Sequence, residues 1–324
     1  MNEKRKIAFF GSDEIALPCL NALLESSENW EICGVLTQPD RRSGRGRNLR
    51  SNPIKKWAME QGIPVQDPQR PGKEEADWLK HLGAELTLVM AYGHILKDDL
   101  LHTAPCGCFN LHASLLPKYR GASPIETALA MGELETGVTL MRVVPRMDAG
   151  SIIDSEAVSV LSTDTGSSLR RQVSHACIPL IQRAMPNLLS GQFSENEQDE
   201  TNATYCRKLT KADGEIDFTL SAEEIECRAR AFANWPGTWF KHKENILKVG
   251  KLSILDGGVN LMPGQREPTE KDCLIIGTGT DAIEVIELQK PGGKMVPVSD
   301  FLRGYALPRE ITFSSPSEPR SLLR

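Results

Sequence analysis

The sequence predicts a doubly wound α/β domain with a mostly parallel sheet, followed by a small β-barrel. In the first half, short apolar runs alternate with segments of helical periodicity, and this order favours a parallel sheet covered on both faces. After about residue 202 the pattern changes to short strand-like runs separated by Gly and Pro, which is typical of a small barrel. The length of 324 residues suits about two domains.

The first half contains six predicted strands and three predicted helices. The strands are Lys6–Gly11, Glu31–Leu36, Gly83–Ala91, Cys108–His112, Val138–Val144 and Ser151–Val158. The helices are Glu14–Glu25, Asn52–Gln61 and Asp164–Leu189. Pro179 lies inside the last helix and predicts a kink or a break there, because proline has no N–H to donate.

The polar, acidic stretch Ser194–Asn202 (SENEQDETN) predicts a linker, although a solvated surface loop within one domain is the alternative. We therefore expect a catalytic-type domain at 1–193, a linker at 194–206 and a second domain at 207–324. The second domain is predicted to hold a helix and several short strands, and Trp235 is expected in its core. These elements are the helix Ala222–Phe232 and the strands Ile246–Val249, Leu274–Gly277 and Ala282–Leu288.

Composition excludes several classes of protein. The net charge of −5 rules out a uniformly basic nucleic-acid protein, but it does not exclude a local basic patch. The sequence has no apolar run long enough for a membrane span, and its N-terminus reads as a first strand, so we expect a cytoplasmic protein. The eight cysteines include no CxxC pair, which indicates free thiols in a reducing compartment more than zinc ligands or disulfides.

The first strand is not followed by a dinucleotide-binding loop. It ends at Gly11 in GSDEIALP, which lacks the second and third glycines that let a backbone approach a pyrophosphate. No Walker sequence occurs either. The predicted sheet therefore resembles that of nucleotide-binding domains but lacks their nucleotide-binding motifs.

Three polar residues at or near strand ends are candidate catalytic residues. Asn110 and His112 lie two positions apart at the end of a strand, so their side chains should face the same side. Asp148 follows a strand-like run in a tight turn before Gly150. Each alone can be a structural polar residue, and a turn Asp is common. If they meet, they supply an amide donor, an imidazole and a carboxylate, a set suited to acyl transfer to an amine.

These residues belong to motifs that resemble the methionyl-tRNA formyltransferase family. Asn110-x-His112-x-Ser114-Leu115-Leu116-Pro117, with Arg120-Gly121 and Pro124-Ile125 after it, is similar to the signature of formyltetrahydrofolate-dependent transferases, and Asp148-x-Gly150 is similar to the position of their aspartate. The resemblance extends to four further segments, so it covers nearly the whole chain. They are Thr37–Lys55, Lys208–Phe218, Arg230–Trp239 and Glu287–Gly304.

The resemblance implies a Rossmann-like formyltransferase domain with a C-terminal OB-like, tRNA-binding domain. It implies transfer of a formyl group from 10-formyltetrahydrofolate to the amino group of methionyl-initiator tRNA. Asn110, His112 and Asp148 would be catalytic, and either His112 or Asp148 would accept the amine proton. The folate would lie along Ser114, Leu115, Leu116 and Pro117 and the strand end Gly93–Leu96. No metal and no membrane are expected, and the protein is expected to be a monomer. A sugar-nucleotide N-formyltransferase and a non-catalytic RNA-binding protein are the alternatives.

A basic loop follows the second strand. Between Arg41 and Lys56 there are seven Lys and Arg and no acid, although the chain is net acidic. A solvated face is one interpretation, and contact with phosphates is the other, because concentrated basic charge releases condensed counterions. On the family resemblance, we expect tRNA to be bound by Arg41, Arg42, Arg45 and Arg47.

Overall fold

The computed structural model describes residues 3–26, 28–43, 48–255, 257, 260–269, 272–318 and 320–324. The chain forms two compact units. Unit 1 comprises Met1–Gly121, Glu135–Ser159 and Arg170–Tyr205, and unit 2 comprises Ala122–Leu134, Val160–Leu169 and Cys206–Arg324. Unit 1 thus extends through the acidic stretch, and unit 2 includes two segments from the first half. The division at 194–206 stays a prediction.

The strands are numbered in chain order. They are β1 (Arg5–Gly11), β2 (Trp30–Leu36), β3 (Arg41–Ser43), β4 (Asn48–Arg50), β5 (Val65–Gln66), β6 (Leu86–Met90), β7 (Cys108–His112), β8 (Arg120–Gly121), β9 (Glu135–Arg142), β10 (Ile152–Ser159), β11 (Tyr205–Cys206), β12 (Thr238–His242), β13 (Asn245–Leu255), β14 (Leu274–Gly277), β15 (Ala282–Gln289) and β16 (Val296–Pro297).

The α-helices are numbered in the same way. They are α1 (Leu17–Glu25), α2 (Pro53–Glu60), α3 (Lys73–Leu82), α4 (Asp98–Leu101), α5 (Pro124–Ala130), α6 (Gly166–Ser190), α7 (Ala222–Ala231) and α8 (Val298–Gly304). Capping explains some of their ends. Asn52 accepts from the amides of Ile54 and Lys55 at the start of α2, and Ser221 and Glu224 form a capping box on α7.

Unit 1 contains a seven-stranded sheet in the order β10-β9-β7-β6-β1-β2-β5. The five strands from β5 to β7 are parallel, β9 is antiparallel to β7, and β10 is antiparallel to β9, which confirms the predicted mostly parallel sheet. The central strand β1 is apolar and fully buried from Ile7 to Phe10 because helices cover both faces of such a sheet. The carboxyl ends of β1, β6 and β7 lie at one edge, where ligands bind in sheets of this kind.

Unit 2 contains an antiparallel sheet in the order β12-β13-β15-β14, with β16 paired to β15. Register shifts in β13 near Lys251 increase the local twist, as expected for a curved, OB-like sheet. Its core includes Phe218, Phe240 and Phe313. The expectation for Trp235 is wrong: its side chain is 52% exposed in the turn before β12, whereas Trp239 on β12 is buried.

The long helix α6 runs without a break from Gly166 to Ser190, so the predicted break at Pro179 does not occur. Proline removes one hydrogen bond, but the surrounding face of the helix is held by packing. Cys177, Leu180 and Ile181 are at most 1% exposed. Among the described residues, no helix is both long and apolar enough to cross a membrane.

The cysteines are free thiols, as predicted. Burial raises the pKa of the Cys108 and Cys177 thiols to about 12 each. These thiols therefore stay protonated at neutral pH, and they act as small apolar core residues.

Candidate active site

His112 ends strand β7 and is nearly buried, with 6% of its surface exposed. Its Nε2 lies 2.9 Å from the backbone carbonyl oxygen of Tyr119. A carbonyl oxygen only accepts hydrogen bonds, so Nε2 carries the proton and donates. In the neutral imidazole, Nδ1 then holds a free lone pair. That nitrogen faces Asp148, with 3.7 Å between Nδ1 and Oδ2.

Asp148 is held in a left-handed turn with a φ of 47°. Its Oδ2 accepts a hydrogen bond of 2.8 Å from the backbone N–H of Gly121. The distance from Oδ2 to the His112 nitrogen exceeds a normal hydrogen bond, so the two groups face each other without being closed on each other. Two proton acceptors therefore border one point, and the pair predicted from the sequence does meet in space.

Asn110 lies two residues before His112 on β7, on the same face of the strand, and it is half-buried. It pairs in register with Val89 on one side and Met141 on the other. Within the described part of the chain, its side-chain amide has no hydrogen-bond partner. An amide with unmet hydrogen-bonding capacity at a strand end is available to a ligand.

The turn after His112 is built from internal contacts. The fully buried Ser114 donates its hydroxyl to the Lys118 carbonyl, at 2.7 Å. The Leu116 amide donates to Thr139 Oγ1 at 3.1 Å. These bonds fix the backbone from Ser114 to Pro117, including half-buried Leu115. Contact of these four residues with a folate stays a prediction.

The neighbouring strand end also carries polar groups. The carbonyl of Tyr92 accepts from Ser12 Oγ at 3.0 Å and from Gln38 Nε2 at 2.9 Å. Desolvation lowers the pKa of His94, and the charge of Arg41 adds to this effect. His94 Nε2 is buried and, among the described residues, has no hydrogen-bond partner. A neutral imidazole thus lies at the end of β6, in the predicted Gly93–Leu96 stretch.

The predicted basic loop is described only in part. Arg41 begins β3, and its exposed side chain donates to Gln38 Oε1. The backbone of Arg42 pairs with Leu49 in the β3–β4 hairpin. Arg45 and Arg47 lie outside the described residues. The assignment of all four to tRNA binding stays a prediction.

Sequence reasoning missed a cluster that supports Asp148. Gln198, in the acidic stretch, donates from Nε2 to the carbonyls of Asp148 at 2.9 Å and Gly150 at 2.8 Å. Its Oε1 accepts from fully buried Arg120, at 3.0 Å from Nε and 2.8 Å from Nη2. No local pattern in SENEQDETN distinguishes this glutamine from its exposed neighbours.

The arrangement can stabilise charge and accept a proton at one point. The Asn110 amide can donate a hydrogen bond to an oxyanion, and so can a protonated His112. The carboxylate of Asp148 and the Nδ1 lone pair of His112 can accept a proton. Within the described residues, no three His, Cys, Asp or Glu side chains are grouped closely enough to hold a metal ion.

Comparison with known proteins identifies two family domains. Residues 5–185 match the formyl transferase family, and residues 208–306 match the formyl transferase C-terminal domain. The methionyl-tRNA formyltransferase of Methylococcus capsulatus is 37% identical over 303 residues, which cover 93% of this chain and 97% of that protein. The one from Marinobacter nauticus is 37% identical over 300 residues, covering 92% and 96%.

Solved structures share the fold at low identity. The N-formyltransferase from Helicobacter canadensis, in complex with folinic acid and dTDP-3-aminofucose, has a TM-score of 0.65 and 21% identity, over 88% of this chain and 99% of that one. A sugar 3N-formyltransferase with dTDP and 5-N-formyl-THF has a TM-score of 0.65 and 19% identity, over 90% and 100%. The two domain matches and the relatives that are 37% identical over most of their length show that the chain belongs to the methionyl-tRNA formyltransferase family.

Proposed function

We propose that the protein transfers a formyl group from 10-formyltetrahydrofolate to the α-amino group of methionyl-initiator tRNA. The observation that carries this proposal is the meeting of His112 and Asp148 beside Asn110, in a chain 37% identical to methionyl-tRNA formyltransferases over most of its length. The product is formylmethionyl-tRNA for translation initiation, which would place the enzyme in the cytoplasm.

The proposed reaction begins with attack of the neutral α-amine on the formyl carbon. A C–N bond forms, and the formyl oxygen becomes an oxyanion that the amide of Asn110 stabilises. The imidazolium of His112 stabilises it as well once Nδ1 has been protonated. The attacking nitrogen loses a proton to His112 Nδ1 or Asp148. The bond from the formyl carbon to the folate nitrogen then breaks, and that nitrogen takes up a proton. No external oxidant or reductant is needed.

The fixed tautomer of His112 defines its part in this reaction. Because Nε2 donates to the Tyr119 carbonyl, only Nδ1 is free to exchange a proton. Once Nδ1 is protonated, the imidazolium faces the Asp148 carboxylate across 3.7 Å, and the carboxylate stabilises it. The Gly121 N–H keeps that carboxylate oriented.

Folate is the proposed formyl donor, bound along Ser114, Leu115, Leu116 and Pro117 and the end of β6. The backbone turns at Gly93 with a φ of 75°, which glycine adopts without strain. The charged initiator tRNA is the proposed acceptor, and it would be bound by the basic loop and by the C-terminal OB-like domain. Monomeric action is part of the same proposal.

A sugar-nucleotide N-formyltransferase is the second candidate, because two similar structures are proteins of that kind. The sequences of those structures are at most 21% identical to this chain, so they are evidence for the fold alone. The relatives with high coverage and 37% identity favour the tRNA substrate.

The test is transfer of radiolabelled formyl from 10-formyltetrahydrofolate to methionyl-initiator tRNA or to a dTDP-amino sugar. We expect label on the methionine of the tRNA and none on the sugar. Label on the sugar alone would establish the second candidate. Tight binding of tRNA without any transfer would show a non-catalytic RNA-binding protein.

A further inference from the structure

We infer that Gln198 is a positioning residue of the active site, which holds the turn that carries Asp148. Gln198 lies in residues 186–207, between the two family matches. It is 8% exposed, whereas Glu197, Asp199 and Glu200 around it are exposed. This inference rests on the proposed function, since it assigns a residue to the same reaction.

The side chain of Gln198 is fully committed to its contacts. Both N–H groups of its amide are used, one to the Asp148 carbonyl and one to the Gly150 carbonyl. Its oxygen accepts two hydrogen bonds from Arg120. A guanidinium only donates and carbonyls only accept, so only one orientation of the amide satisfies all partners.

The turn needs such support because its backbone is unfavourable without it. The left-handed region is unfavourable for a non-glycine residue, and Asp148 lies in it with a φ of 47°. The chain also passes very close to β9, since a Cβ added to Gly150 would lie 1.9 Å from the Arg142 carbonyl oxygen. Gln198 satisfies the carbonyls at residues 148 and 150, and so keeps this strained path.

Asp148 is thereby held from two directions. Gln198 binds its backbone carbonyl, and the Gly121 amide binds its carboxylate. The two supports come from neighbouring residues of the chain. The Arg120 side chain fixes Gln198, and the backbone N–H of the next residue, Gly121, binds the carboxylate. A shift of this unit would change the distance from Oδ2 to His112 Nδ1.

Arg120 is itself anchored by the same segment that carries Gln198. Its Nη2 donates to Glu200 Oε1 at 2.9 Å, and its Nη1 donates to the Tyr205 hydroxyl at 2.8 Å. Hydrogen bonds from Arg120 lower the pKa of Glu200 against the effect of desolvation, and Arg146 adds to the lowering. The ionised carboxylate therefore balances the buried guanidinium at neutral pH.

The first test replaces Gln198 by Glu, which keeps the size and the bonds from Arg120 but removes both N–H donors. The expected result is a fall in kcat of about 10- to 100-fold, the usual scale for misplacing a catalytic group by about 1 Å. KM values for the folate and for the tRNA should change little. The control is Gln192→Glu, the same change at an exposed position in the segment that follows α6, and it should keep wild-type kcat.

A double-mutant cycle separates positioning from general loss of structure. In the Asp148→Asn background, Gln198→Glu should lower kcat far less than in the wild type, because the group that it positions is already disabled. An equal fold-loss in both backgrounds would overturn the inference. So would a Gln198→Glu enzyme with wild-type kcat, provided that the wild type itself transfers formyl.

A measurement without substrate keeps the inference separate from the proposed function. The Gly121 amide proton should exchange faster with solvent in Gln198→Glu than in the wild type, as followed by NMR. Gln198→Met, which removes all polar contacts at similar volume, should give the same result. Unchanged exchange at Gly121 in both variants would contradict the positioning role. Loss of the cooperative thermal transition in both would assign Gln198 to folding instead.

Discussion

At the scale of single residues, the site is defined by which groups already have partners. The Nε2 of His112 donates to the Tyr119 carbonyl, and its Nδ1 faces Asp148. Asn110 keeps its amide free of partners among the described residues. The contacts thus separate polar side chains that only build the turn, such as Ser114, from those with a hydrogen-bonding atom left for the proposed substrate.

Replacement of Asn110 by Ala, His112 by Ala or Asp148 by Asn should each lower kcat by about 10²–10⁴-fold, the range for oxyanion donors and general bases. Binding of charged tRNA should change little, since none of the three is expected to carry its phosphate contacts. Single-turnover formyl transfer measures the effect. His175→Ala is the matched control because His175 is exposed on α6 and, among the residues that the structure describes, bonds only to its own helix. Near wild-type turnover in a variant would remove that residue from the mechanism.

Residues separated by two positions could be predicted together, and residues separated by fifty could not. Strand alternation places Asn110 and His112 on one face from the sequence alone. Asp148 was a candidate as a turn residue, its role followed from the family resemblance, and the structure places it beside His112. Gln198 reaches Asp148 from 50 positions away, and a single glutamine among acids gives no periodic signal.

At the scale of elements, strong apolar periodicity was a reliable guide. The predicted strands overlap β1, β2, β6, β7, β9 and β10, and the long helix is α6. Helix α3 was not predicted, because its sequence KEEADWLKHL buries only Glu75, Ala76 and Leu79. A helix with so few buried residues gives a weak apolar stripe. The short helix α5 and strand β12 were not predicted either.

The β3–β4 hairpin is predicted to bind tRNA through its arginines. Five arginines in the ten residues Arg41–Arg50 concentrate positive charge on a net acidic chain. Neutralising Arg41, Arg42, Arg45 and Arg47 together should weaken tRNA binding and flatten its salt dependence, by about 0.7 to 0.9 in the log–log slope for each lost phosphate contact. Folate binding should stay the same. The measurement is kcat/KM for charged initiator tRNA at two salt concentrations.

An equal change of charge elsewhere is the control for that experiment. Arg70, Lys73, Lys80 and Arg171 are exposed and lie outside the hairpin. Their joint neutralisation should leave the salt slope closer to that of the wild type. If the hairpin variant matched the wild type at both salts, the loop would be a solvated face and the small-amine substrate would become the better hypothesis.

At the scale of the whole molecule, the acidic stretch Ser194–Asn202 is held against the rest of unit 1 by specific contacts. The Arg142 guanidinium lies 5.0 Å from the Phe109 ring and 5.7 Å from the Phe193 ring, and its Nε lies 3.0 Å from both carboxylate oxygens of Glu195. Hydrogen bonds from Arg142 lower the pKa of Glu195, against the effect of desolvation. The linker at 194–206 stays a prediction, and composition alone does not reveal that a charged residue in this stretch has a partner.

This pair makes stability depend on pH in a defined direction. The folded pKa of Glu195 lies below its unfolded value of about 4.3, so the pair stabilises the fold above that pH and the contribution is lost as pH falls through the folded value. Glu195→Gln should lower the free energy of unfolding by about 0.5–1 kcal/mol at pH 7 and by less at pH 3. Urea unfolding at both pH values measures this. Exposed Glu197→Gln is the control, and an equal loss at both pH values would contradict the prediction.

If Gln198 holds Asp148 as inferred, the active site can be completed only late in the synthesis of the chain. A ribosome releases β7 and the Asp148 turn well before residues 198–205, which brace that turn. A nascent chain that ends near residue 185, where the first family match stops, would have its sheet strands but an unbraced Asp148. Formyl transfer should therefore not precede the release of Tyr205, and proteolytic cleavage between residues 186 and 198 should lower the kcat of a chain whose sheet is still folded.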